Sequence, residues 1–374
     1  MAGHVITGRI VTPEGVLDDG WVHVDGGVIA AVGTGAPPAA TTISQAAWVV
    51  PGFVDIHCHG GGGAAFTSTD HEDIRTAATM HARHGTTTML ASLVTRPIPE
   101  LVEQIAVLRE HVADGLIAGI HLEGPFLAAA RCGAHDPAIL MAPDRDSVAT
   151  LLDAGPIRMV TLAPELDGAV DAVKQLVDGG SIAAIGHTDA VESLVLPAVD
   201  AGATVATHLF NGMRPLHHRE PGPIGALLDD PRVSVELICD LVHLSPTIVR
   251  LAAQHAGTAR TVLVTDAISA TGAGDGEYPL GGLTVVVRDG VPTVKGGDSL
   301  AGSTLTMDAA FRNLVTACGM DITAAVAATA THPADLLGLD TGRLAAGQAA
   351  DIVLLDDKLQ VAGVLRRGQQ VNLT

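Results

Sequence analysis

Eight short apolar runs alternate with mostly helix-like segments through the middle of the chain. They are GFVDIH (52–57), TTTMLASL (86–93), IAGIHLE (117–123), IRMVTLAP (157–164), SIAAIGH (181–187), ATVATH (203–208), VSVELIC (233–239) and TVLVTD (261–266). Eight strand-and-helix units over roughly 250 residues predict an α/β fold, a (β/α)8 TIM-like barrel. A doubly wound sheet is the alternative, and it is less favoured because no glycine-rich nucleotide turn follows the first strand.

Both ends of the chain differ from this middle region. Residues 1–50 and 344–374 contain short alternating apolar segments punctuated by glycine, a pattern typical of antiparallel strands. We therefore expect a small β-sandwich domain built from both chain termini, around a barrel that spans residues 51–343. Residues 276–300 predict a β-hairpin insertion after the eighth strand, with Asp289-Gly290 in its turn.

Composition excludes several classes of function. The net charge is −20 and no basic run occurs, so we expect no nucleic-acid partner. The cysteines (Cys58, Cys132, Cys239 and Cys318) have no CxxC spacing, which favours a reducing compartment without disulfides. The sequence has no signal-peptide pattern and no apolar run of about 18 residues, so it predicts a cytoplasmic protein without a membrane partner.

Residues that can bind a metal or transfer a proton stand at the ends of five of the eight predicted strands. They are His57 and His59 at strand one, Glu123 at strand three, His187 at strand five, His208 at strand six and Asp266 at strand eight. In a TIM barrel these ends form the face that carries the active site. Each residue alone has a plainer explanation, such as a packed histidine or a helix N-cap, but their convergence favours a metal centre.

His57 and His59 have a spacing that suits metal binding. Side chains alternate along an extended segment, so these two imidazoles point the same way and Cys58 points the other way. Two imidazoles on one face can bind a single cation. Histidines with a carboxylate suit Zn²⁺ or Fe²⁺, and the sequence does not choose between them.

Several motifs resemble those of a known family. PGFVDIHCHG (51–60), single histidines after strands five and six, and the aspartate after strand eight resemble the amidohydrolase superfamily. Within it, the chain resembles the N-acetylglucosamine-6-phosphate deacetylases through HLEGPF (121–126), GHT (186–188), THLFNGMRPLHHREPG (207–222), VTDA (264–267) and LAGSTLTMDAAFRNLV (300–315). The resemblance covers nearly the whole chain. It implies a metal-dependent hydrolase that removes acetate from N-acetyl-D-glucosamine 6-phosphate in amino-sugar catabolism or recycling.

The resemblance also implies two divalent metal positions per subunit that share Glu123. His57 and His59 belong to one position, and His187 and His208 belong to the other. Asp266 is implied to be both a ligand and the group that transfers the proton.

The residues after strand four give an independent indication. Many binuclear relatives bridge their metals with a carboxylated lysine there, but this chain has LAPEL (162–166) and its next lysine, Lys174, lies in a predicted helix. Glu123 is therefore the candidate for the bridging ligand.

Further residues are implied to bind the substrate. Arg219 and His243 match the family's phosphate ligands, one of which crosses a dimer interface, so a homodimer is implied. His135 and the backbone at Asn211-Gly212 are expected to line the sugar site. Cys132 lies in LAAARCGAH (127–135) and is either a candidate lid thiol or an incidental loop cysteine.

Two alternatives to this activity remain open. The metal site could act on another N-acyl amino-sugar phosphate, such as a galactosamine or mannosamine derivative, or on another small amide or amine. A non-catalytic barrel homologue is disfavoured because such proteins usually lose metal ligands or the catalytic acid, and this sequence keeps them all.

Overall fold

A computed structural model describes residues 3–374 of the chain. The N-terminal part forms four strands, β1 (His4–Thr12), β2 (Gly15–Asp25), β3 (Val28–Thr34) and β4 (Thr42–Pro51). Inward side chains such as Ile6, Ile10 and Val22 are fully buried, so each strand has one face in a small apolar core.

The central element is a parallel sheet of eight strands. Each strand pairs with the sheet strands that come before and after it along the chain. These barrel strands are β5 (Phe53–Asp55), β8 (Thr86–Val94), β9 (Gly119–Glu123), β10 (Ile157–Leu162), β11 (Ile182–Ile185), β12 (Val205–Ala206), β13 (Ser234–Ile238) and β14 (Thr261–Val264), with a short hairpin of β6 (Gly60–Gly61) and β7 (Ala64–Ala65) after the first. They confirm the eight predicted runs.

The barrel closes just beyond the ends of its first and last strands. The backbone N–H of Asp266 donates to the carbonyl of His57, and the N–H of His59 donates to the carbonyl of Ala267, both at 2.8 Å. These hydrogen bonds join the two segments, after the first and the last barrel strand, that carry candidate metal ligands.

Helices cover the outside of the barrel. They are α1 (His71–Arg83), α2 (Ile98–Ala113), α3 (Arg145–Ala154), α4 (Ala169–Asp178), α5 (Glu192–Asp200), α6 (Gly222–Asp229), α7 (Pro246–Ala256), α8 (Met307–Thr316), α9 (Ile322–Val326) and α10 (His332–Leu336), with 3₁₀ turns at Ala129–Arg131 and Pro137–Ile139 and a π turn at Ala327–Thr331. Helix α1 is an example of how the sequence determines these helices. Asp70 caps its N-terminus, and its buried face has residues at helical spacing, namely Ile74, Ala77, Ala78 and His81.

The insertion after the eighth barrel strand has three strands where the sequence predicted a two-stranded hairpin. It consists of β15 (Gly276–Leu280), β16 (Leu283–Arg288) and β17 (Val291–Val294), all antiparallel. Asp289 and Gly290 both have positive φ, as the predicted turn requires. Gly281 and Gly282 also have positive φ and make a second tight turn, which the prediction overlooked.

The C-terminal strands join those of the N-terminus. Strands β18 (Ile352–Leu355), β19 (Val361–Arg366) and β20 (Gln369–Gln370) extend β4 into one continuous seven-stranded sheet, which confirms a small β domain built from both termini. The domain boundaries at residues 50 and 344 stay a prediction. Among residues 3–374, none of the helices combines the length and apolar character needed to cross a membrane.

Candidate metal centre and substrate cavity

The structure brings all six predicted metal-site residues together at the C-terminal mouth of the barrel. His57 and His59, here called the strand-one pair, follow β5. His187 and His208, called the strand-five/six pair, follow β11 and β12. Glu123 is the last residue of β9 and lies between the two pairs.

The donor atoms of the strand-one pair are spaced as metal ligands are. Their Nε2 atoms are 3.1 Å apart, and Asp266 Oδ1 lies 3.5 Å from His57 Nε2 and 3.3 Å from His59 Nε2. Glu123 Oε2 lies 3.2 Å from His59 Nε2. A tetrahedral ion with bonds of about 2.0–2.1 Å separates neighbouring donors by about 3.3 Å, so these residues fit a metal such as zinc.

The strand-five/six pair forms a second group around the other oxygen of Glu123. Glu123 Oε1 lies 3.0 Å from His187 Nε2 and 2.9 Å from His208 Nε2, and the two nitrogens are 3.1 Å apart. Three converging donors leave further coordination positions open, which is the usual form of a catalytic site. Lys174, the lysine after strand four, pairs with Asp171 on the outer helix α4 and takes no part.

Hydrogen bonds at the far ring nitrogens hold three of the four imidazoles in place. His57 Nδ1 contacts Glu236 Oε2 at 3.2 Å, His59 Nδ1 contacts the carbonyl of Ser92 at 3.1 Å, and His187 Nδ1 contacts the carbonyl of Arg131 at 2.8 Å. Since each acceptor takes the N–H, the Nε2 lone pair faces the centre. His208 Nδ1 has no hydrogen-bond partner among residues 3–374.

Opposite charges stabilise each other in this buried cluster. Burial raises the pKa of Glu123, but the nearby imidazoles of His57 and His135 outweigh it, and the net pKa lies well below the ordinary value. Burial lowers the pKa of His57, while the carboxylates of Glu123 and Asp266 raise it to well above its usual range. Protons on these nitrogens occupy the positions that a metal ion takes when it binds, so metal and protons compete for the site.

Three site residues have backbones in the left-handed region, where side chains are strained. The φ angles are 47° for His187, 29° for His208 and 49° for Asp266. Such conformations cost about 1–3 kcal/mol each and persist where the surroundings enforce them, commonly at active sites. The strand-one pair shows no such deviation.

Cys58 points away from the centre, as the alternation of side chains predicts. Its Sγ lies 3.2 Å from His81 Nε2, which itself donates to the carbonyl of Gly60. Burial raises the pKa of the Cys58 thiol well above its usual value and lowers the pKa of His81 to about 4. Both groups are therefore neutral, and Cys58 is not an activated thiolate.

A cavity of about 240 Å³ opens beside the metal centre. Its lining includes His59, Glu123, His187, His208 and Asp266 from the centre, together with Gly133, Ala134, His135, Asn211, Gly212, His243 and Leu280. The predicted substrate residues His135, Asn211, Gly212 and His243 thus lie on its wall. His135 contacts Glu123 Oε2 at 3.3 Å and Thr95 Oγ1 at 2.9 Å, which fixes its ring against the centre.

Arg219 is not brought to this cavity. It is exposed on the loop before α6, and its guanidinium contacts the neighbouring His218 ring at 2.8 Å. Cys132 is half-buried and does not line the cavity, although the next three residues do. The structure therefore brings neither Arg219 nor Cys132 to the cavity wall, and their roles stay predictions.

Glu236 is the site residue that the sequence reasoning missed. It lies in the middle of β13, is fully buried, and binds both the ring of His57 and the backbone N–H of His208. The available signal was a carboxylate inside an otherwise apolar run, VSVELIC. A buried carboxylate needs a partner, and strand alternation places this one inside the barrel.

Comparison with known proteins agrees with this geometry. The profile of the amidohydrolase family matches residues 48–371. The chain belongs to the amidohydrolase family.

Within that family, the chain is similar to deacetylases of N-acetylated amino-sugar phosphates. It is 37% identical to an N-acetylgalactosamine-6-phosphate deacetylase of Escherichia coli, with 98% of each chain covered. It is 38% identical to the N-acetylglucosamine-6-phosphate deacetylase of Homo sapiens, over 86% of this chain and 83% of the human one. A mutant of the N-acetyl-D-glucosamine-6-phosphate deacetylase of Mycobacterium smegmatis, solved with N-acetyl-D-glucosamine-6-phosphate, superposes with a TM-score of 0.97 at 47% identity, covering 99% of this chain and all of the other.

Proposed function

We propose that this amidohydrolase is a metal-dependent deacetylase that converts N-acetyl-D-glucosamine 6-phosphate to glucosamine 6-phosphate and acetate. The observation that carries the proposal is the convergence of four imidazoles, Glu123 and Asp266 at the mouth of the barrel, where all of them except His57 line one cavity. Relatives at 34–47% identity over most of their length are named as deacetylases of this substrate. The reaction belongs to amino-sugar catabolism or recycling, in the cytoplasm.

The metal ligands are assigned by position. The strand-one pair would hold one divalent ion with Glu123 and Asp266, and the strand-five/six pair would hold a second with Glu123. Zinc and iron both suit this donor set. When bound, the metal supplies Lewis-acid polarisation of the acetyl carbonyl and makes water a better nucleophile at neutral pH.

Asp266 is the proton-transfer group. It lines the cavity, and the imidazoles of the strand-one pair hold its pKa below the ordinary value although burial raises it, so the carboxylate is ionised and able to accept a proton. It takes the proton from the attacking water and delivers it to the nitrogen of the leaving amine. His135, beside Glu123 on the cavity wall, and the backbone at Asn211-Gly212 orient the acetylated sugar.

His243 supplies one contact for the phosphate. Burial lowers its pKa, but its Nδ1 lies 2.6 Å from Asp240 Oδ2, and the net shift is upward. The Asp240 carboxylate thus favours the protonated form of the His243 imidazole, whose remaining N–H can be donated to an anion at the cavity wall. This local cation matters because the protein as a whole carries a net charge of −20.

We assign the second phosphate contact to Arg219 of another copy of the chain in a homodimer. Two exposed apolar side chains support an interface here: Leu216, 54% exposed, lies near Arg219, and Val242, 50% exposed, adjoins His243. Apolar surface beside both phosphate residues is what a contact between copies would cover. An arginine fork matches the geometry of a phosphate group.

Mixed dimers test this assignment directly. Arg219→Ala alone should raise KM for the phosphorylated sugar and leave the weak hydrolysis of unphosphorylated N-acetylglucosamine little changed. Mixing Arg219→Ala subunits with Asp266→Asn subunits should restore activity, because one site then has Asp266 from one copy and Arg219 from the other. No recovery on mixing, or equal losses on both sugars, contradicts the assignment. Arg232→Ala, an exposed arginine before barrel strand seven, is the control.

A galactosamine derivative is the second candidate substrate. The relative from Escherichia coli that matches over 98% of both chains is named for N-acetylgalactosamine 6-phosphate. Acetate release should be measured on both epimers under the same conditions. We expect the higher kcat/KM on the glucosamine derivative, and a preference for the galactosamine derivative would transfer the proposal to that epimer.

A further inference from the structure

We propose that Glu236 is a positioning residue that sets the tautomer and orientation of His57, and thereby controls metal binding at the strand-one pair. The inference rests on the metal centre of the proposed function. It concerns a residue outside the set of metal ligands and substrate contacts assigned above.

The burial of Glu236 requires an explanation. The residue lies on barrel strand seven with no exposed surface. Its Oε1 has no hydrogen-bond partner among residues 3–374, although its Oε2 has two. A carboxylate in such a place is costly, and an apolar side chain would pack there without that cost. Core packing alone therefore does not account for a glutamate at this position.

The contact with His57 has the direction that a metal ligand needs. Glu236 Oε2 faces His57 Nδ1 at 3.2 Å, on the side of the ring away from the other ligands. His57 Nε2 faces the centre, 3.1 Å from His59 Nε2 and 3.5 Å from Asp266 Oδ1. A carboxylate can only accept at this nitrogen, so the proton stays on Nδ1 and the lone pair of Nε2 is free for a metal.

Among the imidazole rings of the centre, Glu236 contacts that of His57, and its contact with His208 is to the backbone N–H. His59 and His187 place their Nδ1 atoms against backbone carbonyls, those of Ser92 and Arg131. Of the four imidazoles of the centre, His57 is the one whose Nδ1 contacts a charged side chain among the described residues. A carboxylate that accepts at Nδ1 makes Nε2 a stronger metal ligand than a neutral carbonyl at the same place does. Loss of the carboxylate should therefore weaken metal binding at the strand-one pair.

Glu236→Gln tests the proposal on the intact protein with Zn²⁺ as the probe. Glutamine keeps the shape but removes the charge and the obligatory acceptor. Equilibrium dialysis against buffered Zn²⁺, with metal counted by mass spectrometry, should show one equivalent bound about 10- to 100-fold more weakly and the other unchanged. Asp55→Asn is the matched control, because Asp55 is equally buried and accepts from Thr265 and from the backbone N–H of His57, but does not contact the His57 ring. It should leave both equivalents in place.

A double-mutant comparison distinguishes positioning from a general structural effect. In a His57→Ala background, Glu236→Gln should cause no further loss of metal affinity, because the residue through which it acts is gone. Equal losses in both backgrounds overturn the proposal. Glu236→Asp, which keeps the charge but is one methylene shorter, should bind metal with intermediate affinity and serves if the glutamine variant does not fold.

The outcomes also separate this inference from the proposed function. If the wild-type protein binds two equivalents and Glu236→Gln binds them with unchanged affinity, the positioning role alone is wrong. If the wild-type protein binds no divalent metal, the proposed function fails and this inference fails with it.

Discussion

The two histidine pairs of the metal centre are built in different ways. The strand-one pair sits in the barrel wall with relaxed backbones, and its rings rest on Glu236 and on the carbonyl of Ser92 from barrel strand two. The strand-five/six pair has strained backbones, and His187 rests on a carbonyl from the loop around Arg131. The strand-one pair is thus held by the core, whereas the ring of His187 is held by a loop whose next residues line the cavity. The backbone N–H of His208 donates to Glu236, and no hydrogen bond among residues 3–374 holds its Nδ1.

This difference predicts that the two pairs have different roles. Ligands fixed by the core keep their geometry whatever the loops do. Ligands fixed by loops can respond to the substrate, because the same loops carry Gly133, His135 and Gly212 on the cavity wall. Changes behind the rings of the strand-one pair, on the side away from the cavity, should therefore affect metal affinity and stability. Changes in the loops beside the strand-five/six pair, and at groups that face the cavity, should affect turnover.

The largest effect is expected at Asp266, which touches the strand-one pair and faces the cavity. Asp266→Asn keeps an oxygen beside the metal ligands but removes the proton acceptor. We expect kcat to fall about 10²- to 10⁴-fold with metal content retained, because general acid–base catalysis contributes about that factor. Turnover near the wild-type rate in a metal-loaded variant would show that another group transfers the proton.

A smaller effect on turnover is expected from Gly212→Ala, which tests the loop-held pair. A Cβ at this position would lie 2.9 Å from His187 Nδ1, and the backbone has a φ of +61°. The His187 ring must then shift, so kcat for acetate release should fall while the strand-one pair keeps its metal.

Gly180→Ala is the matched control for that variant. It has a comparable φ of +78° but nothing within 4 Å of an added Cβ. Both variants should lose about 1 kcal/mol of stability from the left-handed backbone, measured by chemical denaturation. Only Gly212→Ala should lose activity, and equal activity in the two variants would contradict the role of the loop in holding His187.

The smallest effect on turnover is expected from Ser92→Ala, which tests the core-held pair. Ser92 Oγ accepts from the backbone N–H of Cys58 and contacts His121 Nδ1, so its loss leaves buried polar groups unpaired. We expect about 1–3 kcal/mol of lost stability with kcat little changed at saturating metal. A loss of kcat larger than that of Gly212→Ala would contradict the proposed difference between the roles of the two pairs.

The same comparison explains how much could be predicted from the sequence. The alternation rule correctly placed His57 and His59 on one face and Cys58 on the other, because an extended backbone fixes side-chain direction locally. The barrel followed from eight apolar runs. The strained φ angles of His187 and His208 could not be predicted, because they depend on contacts between loops distant in the sequence.

Two other features escaped the sequence reasoning for specific physical reasons. Glu236 was missed because strand seven looked like a purely structural run, and only the fold shows that its carboxylate meets His57. The position of Arg219 outside the cavity could not be predicted either, since a loop motif does not fix the direction in which its side chain points.

Metal-dependent release of acetate from N-acetyl-D-glucosamine 6-phosphate tests the central claim most directly. Protein stripped of metal by a chelator should release no acetate, and stepwise addition of Zn²⁺ or Fe²⁺ should restore the activity as two equivalents bind. Undiminished acetate release from protein shown by mass spectrometry to contain no divalent metal would contradict the account.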